Sequence, residues 1–128
     1  MNGIEDLPGG AELCSWYGGV PSFHDAEIID LQLHRSGASR FRVHAWKLTD
    51  KVNEEGYYVL EKHFVATFVL ERVIGLELSG FNHQNVIAGL SISRSPDAYE
   101  LVLKDSWRLS GSVHARPISI EFEAGKPK

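Results

Sequence analysis

Apolar and polar side chains alternate along most of this chain. Ile29, Leu31 and Leu33 are interleaved with Asp30, Gln32 and His34, and Phe41, Val43 and Ala45 with Arg42, His44 and Trp46. The same rhythm runs through Ile74, Leu76 and Leu78, through Val86, Ala88, Leu90 and Ile92, through Tyr99, Leu101 and Leu103, and through Ile118, Ile120 and Phe122. Successive side chains on a strand point to opposite faces, so a period of two predicts sheets with one face wetted. The longer stretch Tyr58 to Leu70 sets Tyr58, Leu60, Phe64, Ala66, Phe68 and Leu70 on one face, with Lys62 the intruder. Phe64 and Phe68 are four apart, as on a helix, but the β-branched residues of the other face and the two-residue period favour a strand.

Turn signals separate these runs: Ser36-Gly37, Asn53-Glu54-Glu55-Gly56, Gly80-Phe81-Asn82, Ser95-Pro96-Asp97, Asp105-Ser106, Ser110-Gly111 and Arg116-Pro117. No well-patterned helix lies between strands, which argues against βαβ units. The expected fold is all-β, an antiparallel β-sandwich or partly open barrel of about seven or eight strands. One short N-terminal helix is expected where Leu13, Trp16 and Tyr17 stand at i, i+3 and i+4, with Gly18-Gly19 as its stop. Residues 1–10 read as a flexible arm and residues 11–124 as a single domain.

At 128 residues, 43% hydrophobic and 23% charged, the chain has the make-up of one globular domain with its own core. Its one cysteine, Cys14, suits a reducing compartment. The N-terminus has no apolar stretch of the secretory kind, and no apolar run approaches bilayer-spanning length. A cytoplasmic protein without membrane contact is expected. The net charge of −4 comes with scattered basic residues, which excludes nucleic acid as the expected partner, because phosphate binding needs them clustered.

Two polar clusters stand out. In the first, Ser22 to Glu27, the carboxylates of Asp25 and Glu27 follow His24. If extended, this segment points both acids to one side and can bind a cation or serve as acid and base, the basis of a small metal-dependent hydrolase. The competing reading, which we favour, is that His24 and Asp25 tie the chain down as it enters the sheet. The second cluster, Asn82, His83, Gln84 and Asn85, offers side-chain amides to a partner's backbone or closes its own loop. Trp16, Trp46 and Trp107 are candidate interface anchors; Trp46, on the polar side of its strand, is the best of them unless a second layer covers it. The six histidines show no metal-ligand spacing, and Cys14, with Glu12 nearby, reads as apolar filler. No cofactor is expected.

Three segments carry a resemblance: Trp16-Tyr17-Gly18-Gly19-Val20-Pro21-Ser22-Phe23-His24-Asp25-Ala26-Glu27, then Leu76-Glu77-Leu78, then Gly80-Phe81-Asn82-His83-Gln84-Asn85-Val86-Ile87. Together they resemble the small bacterial proteins classed as immunity protein family 50, over about Trp16 to Ile120. The resemblance implies a cytoplasmic antidote that binds a toxin and blocks it, with no enzyme activity of its own. The expected binding surface comprises His24, Asp25 and Glu27, Trp46, and the loop Asn82, His83, Gln84 and Asn85. A self-associating module that forms a homodimer through a sheet edge or the Trp46 face is the remaining expectation.

Overall fold

The computed structural model describes residues 3–81, 85–96, 98–105 and 110–127. Among these, a 3-10 turn (Gly3–Asp6) and a helix, α1 (Gly10–Tyr17), precede eight strands. These are β1 (Glu27–Gln32), β2 (Ser39–Val52), β3 (Tyr58–Leu70), β4 (Val73–Ser79), β5 (Ile87–Arg94), β6 (Tyr99–Asp105), β7 (Ser110–Ala115) and β8 (Ile118–Ala124). They form two four-stranded antiparallel sheets, sheet A in the order β1-β2-β3-β8 and sheet B in the order β4-β7-β6-β5. The architecture is the sandwich that the alternation predicts.

The core lies between the sheets. Phe41, Val43 and Ala45 of β2, Phe64, Ala66, Phe68 and Leu70 of β3, and Ile118 and Ile120 of β8 meet Leu90 and Ile92 of β5, Leu101 and Leu103 of β6, and Val113 of β7. The two-residue rhythm slips where the ladders are bulged, because one extra residue flips the faces that follow; β4 is bulged at Ile74, and β1, β5 and β3 show the effect on burial. In β1 the extra residue is Ile29, so Ile28 is buried while Ile29 turns outward beside Arg42 and Val65. In β5 it is Ala88, which buries Ile87 in place of Val86. In β3 the ladder shifts at Lys62, whose φ is +50°, and Leu60 is left 40% exposed, not on the buried face with Phe64.

One side of the sandwich is a continuous ladder. Leu70 pairs with Ile118 and Val73 with Ala115, and between them Glu71 N–H donates to Pro117 O (3.1 Å) and Arg116 N–H to Arg72 O (3.0 Å). The ribbon β3–β4 therefore stays paired with β7–β8 as both bend from sheet A into sheet B. The other side is a short join. Ile28 N–H donates to Asn85 O (2.8 Å) and Ile87 N–H to Ala26 O (3.0 Å), around a bridge between Glu27 and Val86.

Residues 3–10 differ from the loose arm expected of them. Ile4 and Leu7 are buried in the core, and Ile120 N–H donates to Pro8 O (2.9 Å) along the outer edge of β8. Gly9, at φ +86°, is required here, because a Cβ on it would lie 1.9 Å from the Ile120 carbonyl oxygen. The helix then covers one end of the sandwich with Leu13 and Tyr17 inward. It stops as predicted: Gly18 adopts φ +91°, and Gly18 and Gly19 N–H both donate to Cys14 O. Trp16 packs on Phe122 (5.4 Å between ring centroids) and edge-on to Phe64 (5.7 Å).

Candidate functional site

The segment before β1 is a tight turn, not an extended lead-in. Phe23 and Asp25 both adopt left-handed φ (+58° and +62°), and Ala26 N–H donates to Phe23 O (3.1 Å). A bulky residue accepts that conformation only when its surroundings enforce it. Here the enforcement is burial: the Phe23 ring sits inside the core, 5.9 Å edge-on from Phe64 and 6.0 Å from Phe68. The alternation of inward Phe23 and Ala26 leaves His24 and Asp25 outside, with side chains 65% and 59% exposed.

His24 is nonetheless tied down. Its Nδ1 lies 3.1 Å from Ala88 O, and since a carbonyl only accepts, Nδ1 carries the proton. Ala88 is the bulged residue of β5, so the ring satisfies a carbonyl next to a break in the ladder. His24 Nε2 stands 3.5 Å from Asp25 Oδ2, and His24 N–H donates to Ser22 Oγ (3.2 Å). Asn85 is buried at the same join, its carbonyl bonded to Ile28. Asn82, His83, Gln84 and Trp107 lie outside the described residues.

Glu27 does not join His24 and Asp25. It is the cross-strand partner of His44, on the outer face of sheet A. There His44 Nε2 lies 3.1 Å from His63 Nδ1, and the two rings are nearly parallel, with centroids 5.2 Å apart. At that separation the nitrogens meet end to end, so one ring donates N–H to the other's lone pair. Trp46 lies edge-on to His44 (5.0 Å) and 6.0 Å from His63. Trp46 is half-buried, so the second layer it was alternatively expected to lie under is in part the two imidazoles.

Burial holds the His44 pKa below its ordinary value, with His63 and Lys126 adding repulsion and Glu27 opposing them. His63 is lowered in the same way, by burial and then by Lys126. Both rings thus favour the neutral form that a shared N–H···N bond needs. Next to the pair, a shallow depression is lined by Ile29, Arg42, Val65, Glu123 and Lys126. Arg42 is locked at its rim: its Nε lies 3.0 Å from both carboxylate oxygens of Asp30, whose pKa that hydrogen bond lowers.

The structure therefore brings Glu27 and Trp46 together with His44 and His63, which sequence reading treated as uninformative. The available signal was the hairpin register. Asn53 Oδ1 accepts N–H bonds from Glu55 and Tyr57 and fixes the β2–β3 turn, which carries His44 to the neighbourhood of His63. Cys14 is half-buried, and burial, then Glu5, raises its thiol pKa, the reverse of what a nucleophile needs. Among the described residues no three His, Cys, Asp or Glu side chains are placed to hold a metal ion, and no helix is long and apolar enough to cross a membrane.

Comparison with known proteins agrees with the resemblance carried by the opening segment. The family model for immunity protein 50 matches residues 9–124, from the glycine under Ile120 to the end of β8. No curated protein and no solved structure matched the chain. A match across nearly the whole sandwich places this chain in the immunity protein 50 family.

Proposed function

We propose that the chain is a cytoplasmic antidote that neutralises a bacterial toxin by direct binding and has no catalytic step of its own. The observation that carries this reading is the family match over residues 9–124. The docking face we assign is the outer surface of sheet A around Trp46, with His44, His63 and Glu27 beside it and the His24–Asp25 turn at its border. A half-buried tryptophan ringed by polar groups is the composition of an interface anchor, and a rigid four-stranded sheet presents it without an ordering cost. Neutral imidazoles are easily desolvated, which suits them to the rim of such a contact.

The test is to look for a toxin gene beside this one and to measure binding of the purified chain to its product. Trp46→Ala is expected to weaken that complex by about 2 kcal/mol, or about thirtyfold, at unchanged thermal stability of the free chain. Failure of the wild-type pair to associate at micromolar concentration would sink the antidote reading. Normal binding by the Trp46 variant would move the docking face elsewhere.

A further inference from the structure

The β2–β3 hairpin is longer than the sheet around it. Pairing of β1 with β2 reaches only to His44, and pairing of β8 with β3 only to Phe64, with Gly125 N–H on His63 O (2.7 Å) just beyond. Among the described residues, Lys47 to Glu61 therefore run on as an arm of two strands without a third, for roughly 20 Å at about 3.3 Å per residue. A lone two-stranded ribbon is only marginally stable, and this one is braced. At its root Lys47 Nζ donates to Tyr17 O (3.4 Å) and Lys62 Nζ to Trp16 O (2.6 Å), both at the end of α1. Along its length Thr49 Oγ1 donates to Val59 O (2.7 Å) and Lys51 Nζ lies 3.7 Å from Glu61, while Asn53 fixes the turn.

The braced arm is amphipathic. Leu60 pairs with Leu48, two residues on from Trp46, and so continues the outer face of sheet A; Val52, paired with Tyr58, shares that face. Val52 is 57% exposed, Leu60 is exposed beside it, and Tyr57 next to the turn is 68% exposed. The opposite face holds Lys47, Lys51 and Glu61. At the tip Glu54 and Glu55 are exposed, and no lysine or arginine stands between Val52 and Leu60. The ladder shifts at Lys62 and again between Leu48 and Val52, which bends the outer edges away from the geometry an added strand needs. Contact with a partner is left to the side chains.

We infer that this hairpin is a docking arm that enters a cleft of the toxin with apolar walls and a floor lined by lysine or arginine. The inference rests on the antidote reading and carries its Trp46 face outward along Leu60 and Val52. A narrow ribbon with apolar groups on its flank and carboxylates at its end buries both together in a concave site, whereas a flat surface covers only one. The leading Glu54 and Glu55 are steered by a basic surface and repelled by an acidic one. The same charge disfavours a second copy of this chain as the occupant, since its arm carries the same two carboxylates and its net charge is again −4.

The test mixes the full chain with the product of a toxin gene found beside its own. On complex formation the backbone amides from Lys51 to Leu60 are expected to gain protection from hydrogen exchange. Val52→Ser with Tyr57→Ser is expected to weaken binding about tenfold or more, with the circular-dichroism spectrum and melting temperature kept because both side chains are exposed. Glu54→Lys with Glu55→Lys is expected to slow association about tenfold at low salt and to leave dissociation nearly unchanged. A complex that forms with the arm amides unprotected, or that the serine variant forms as well as the wild type, would overturn the docking arm and leave the antidote reading standing. Association indifferent to the two lysines would overturn the cationic floor. A dimer of the free chain that the serine variant dissolves would give the arm to a second copy. If the wild-type chain forms no complex, the antidote reading and the arm fall together.

Discussion

His24 and the His44–His63 pair are built from the same side chain by opposite means. His24 belongs to a polar cluster that is contiguous in sequence, next to Asp25 and close to Glu27, and it ends up largely exposed with its Nδ1 on the Ala88 carbonyl. His44 and His63 are separated by a whole hairpin, yet their nitrogens lie 3.1 Å apart, half-buried, against Trp46. The conspicuous cluster supports a join between sheets, and the inconspicuous pair makes the denser arrangement of ring side chains. Neighbours in sequence are forced to be close whatever the fold does. Neighbours across a ladder are close only because a register puts them there.

Substitutions at the turn and at the histidine pair break or sharpen this contrast. The largest effect is expected at the turn, where Phe23 rather than His24 bears the packing. Phe23→Ala should lower unfolding free energy by about 3 kcal/mol or more in chemical denaturation, because a fully enclosed ring leaves a cavity against Phe64 and Phe68. His24→Ala should cost about 0.5–1 kcal/mol, the scale of one partly solvated hydrogen bond, and should raise amide exchange locally at Ala26 and Ile87. A loss as large as that of Phe23→Ala would mean that the exposed ring holds more of the turn than its one bond implies.

The smallest effect concerns pH. His44 and His63 have folded-state values below the ordinary 6.5, so just below pH 6.5 the unfolded chain binds more protons than the folded one. Stability is therefore expected to be insensitive to this pair above pH 6.5 and to fall as pH drops through it, until the folded-state values are reached. His44→Gln with His63→Gln should flatten that part of the curve in thermal melts. An unchanged slope in the double variant would show that burial of the pair does not control its titration.

How much of this was legible follows from the bulges. Phe41, Val43 and Ala45, Leu101 and Leu103, and Ile118 and Ile120 lie on uninterrupted ladders, and their alternation predicts their burial correctly. Ile29 is itself an inserted residue, and Val86 and Leu60 lie just beyond one, so the same rule assigns them to the wrong face. An extra residue leaves no mark in hydropathy, since it is visible only against a partner strand. The strand β7 escaped notice because Ser110-Gly-Ser-Val-His-Ala115 has two small apolar residues and opens on a turn-like pair. Ile4 and Leu7 were unreadable for a related reason: isolated among glycines and acids, they show no period, and only docking against β5 and β8 explains their burial. Of the candidate site, Trp46 and Glu27 could be singled out from the sequence, Glu27 with His24 and Asp25 as neighbours in place of His44, whereas His44 and His63 required a register.

The continuous β3–β4 and β7–β8 ladder gives the molecule a spine, as in a bound book. Two unbroken backbones cross it with their peptide groups still bonded at Glu71 and Arg116, so the covers cannot shear or part on that side without tearing a long run of bonds. The facing side shows, among the described residues, a clasp of two main-chain bonds, with the His24 ring pinning its hinge. Any breathing of the sandwich is thereby given a direction: it opens at the clasp, beside Glu27 and His44, and a ligand gripping that border would clamp the whole volume shut.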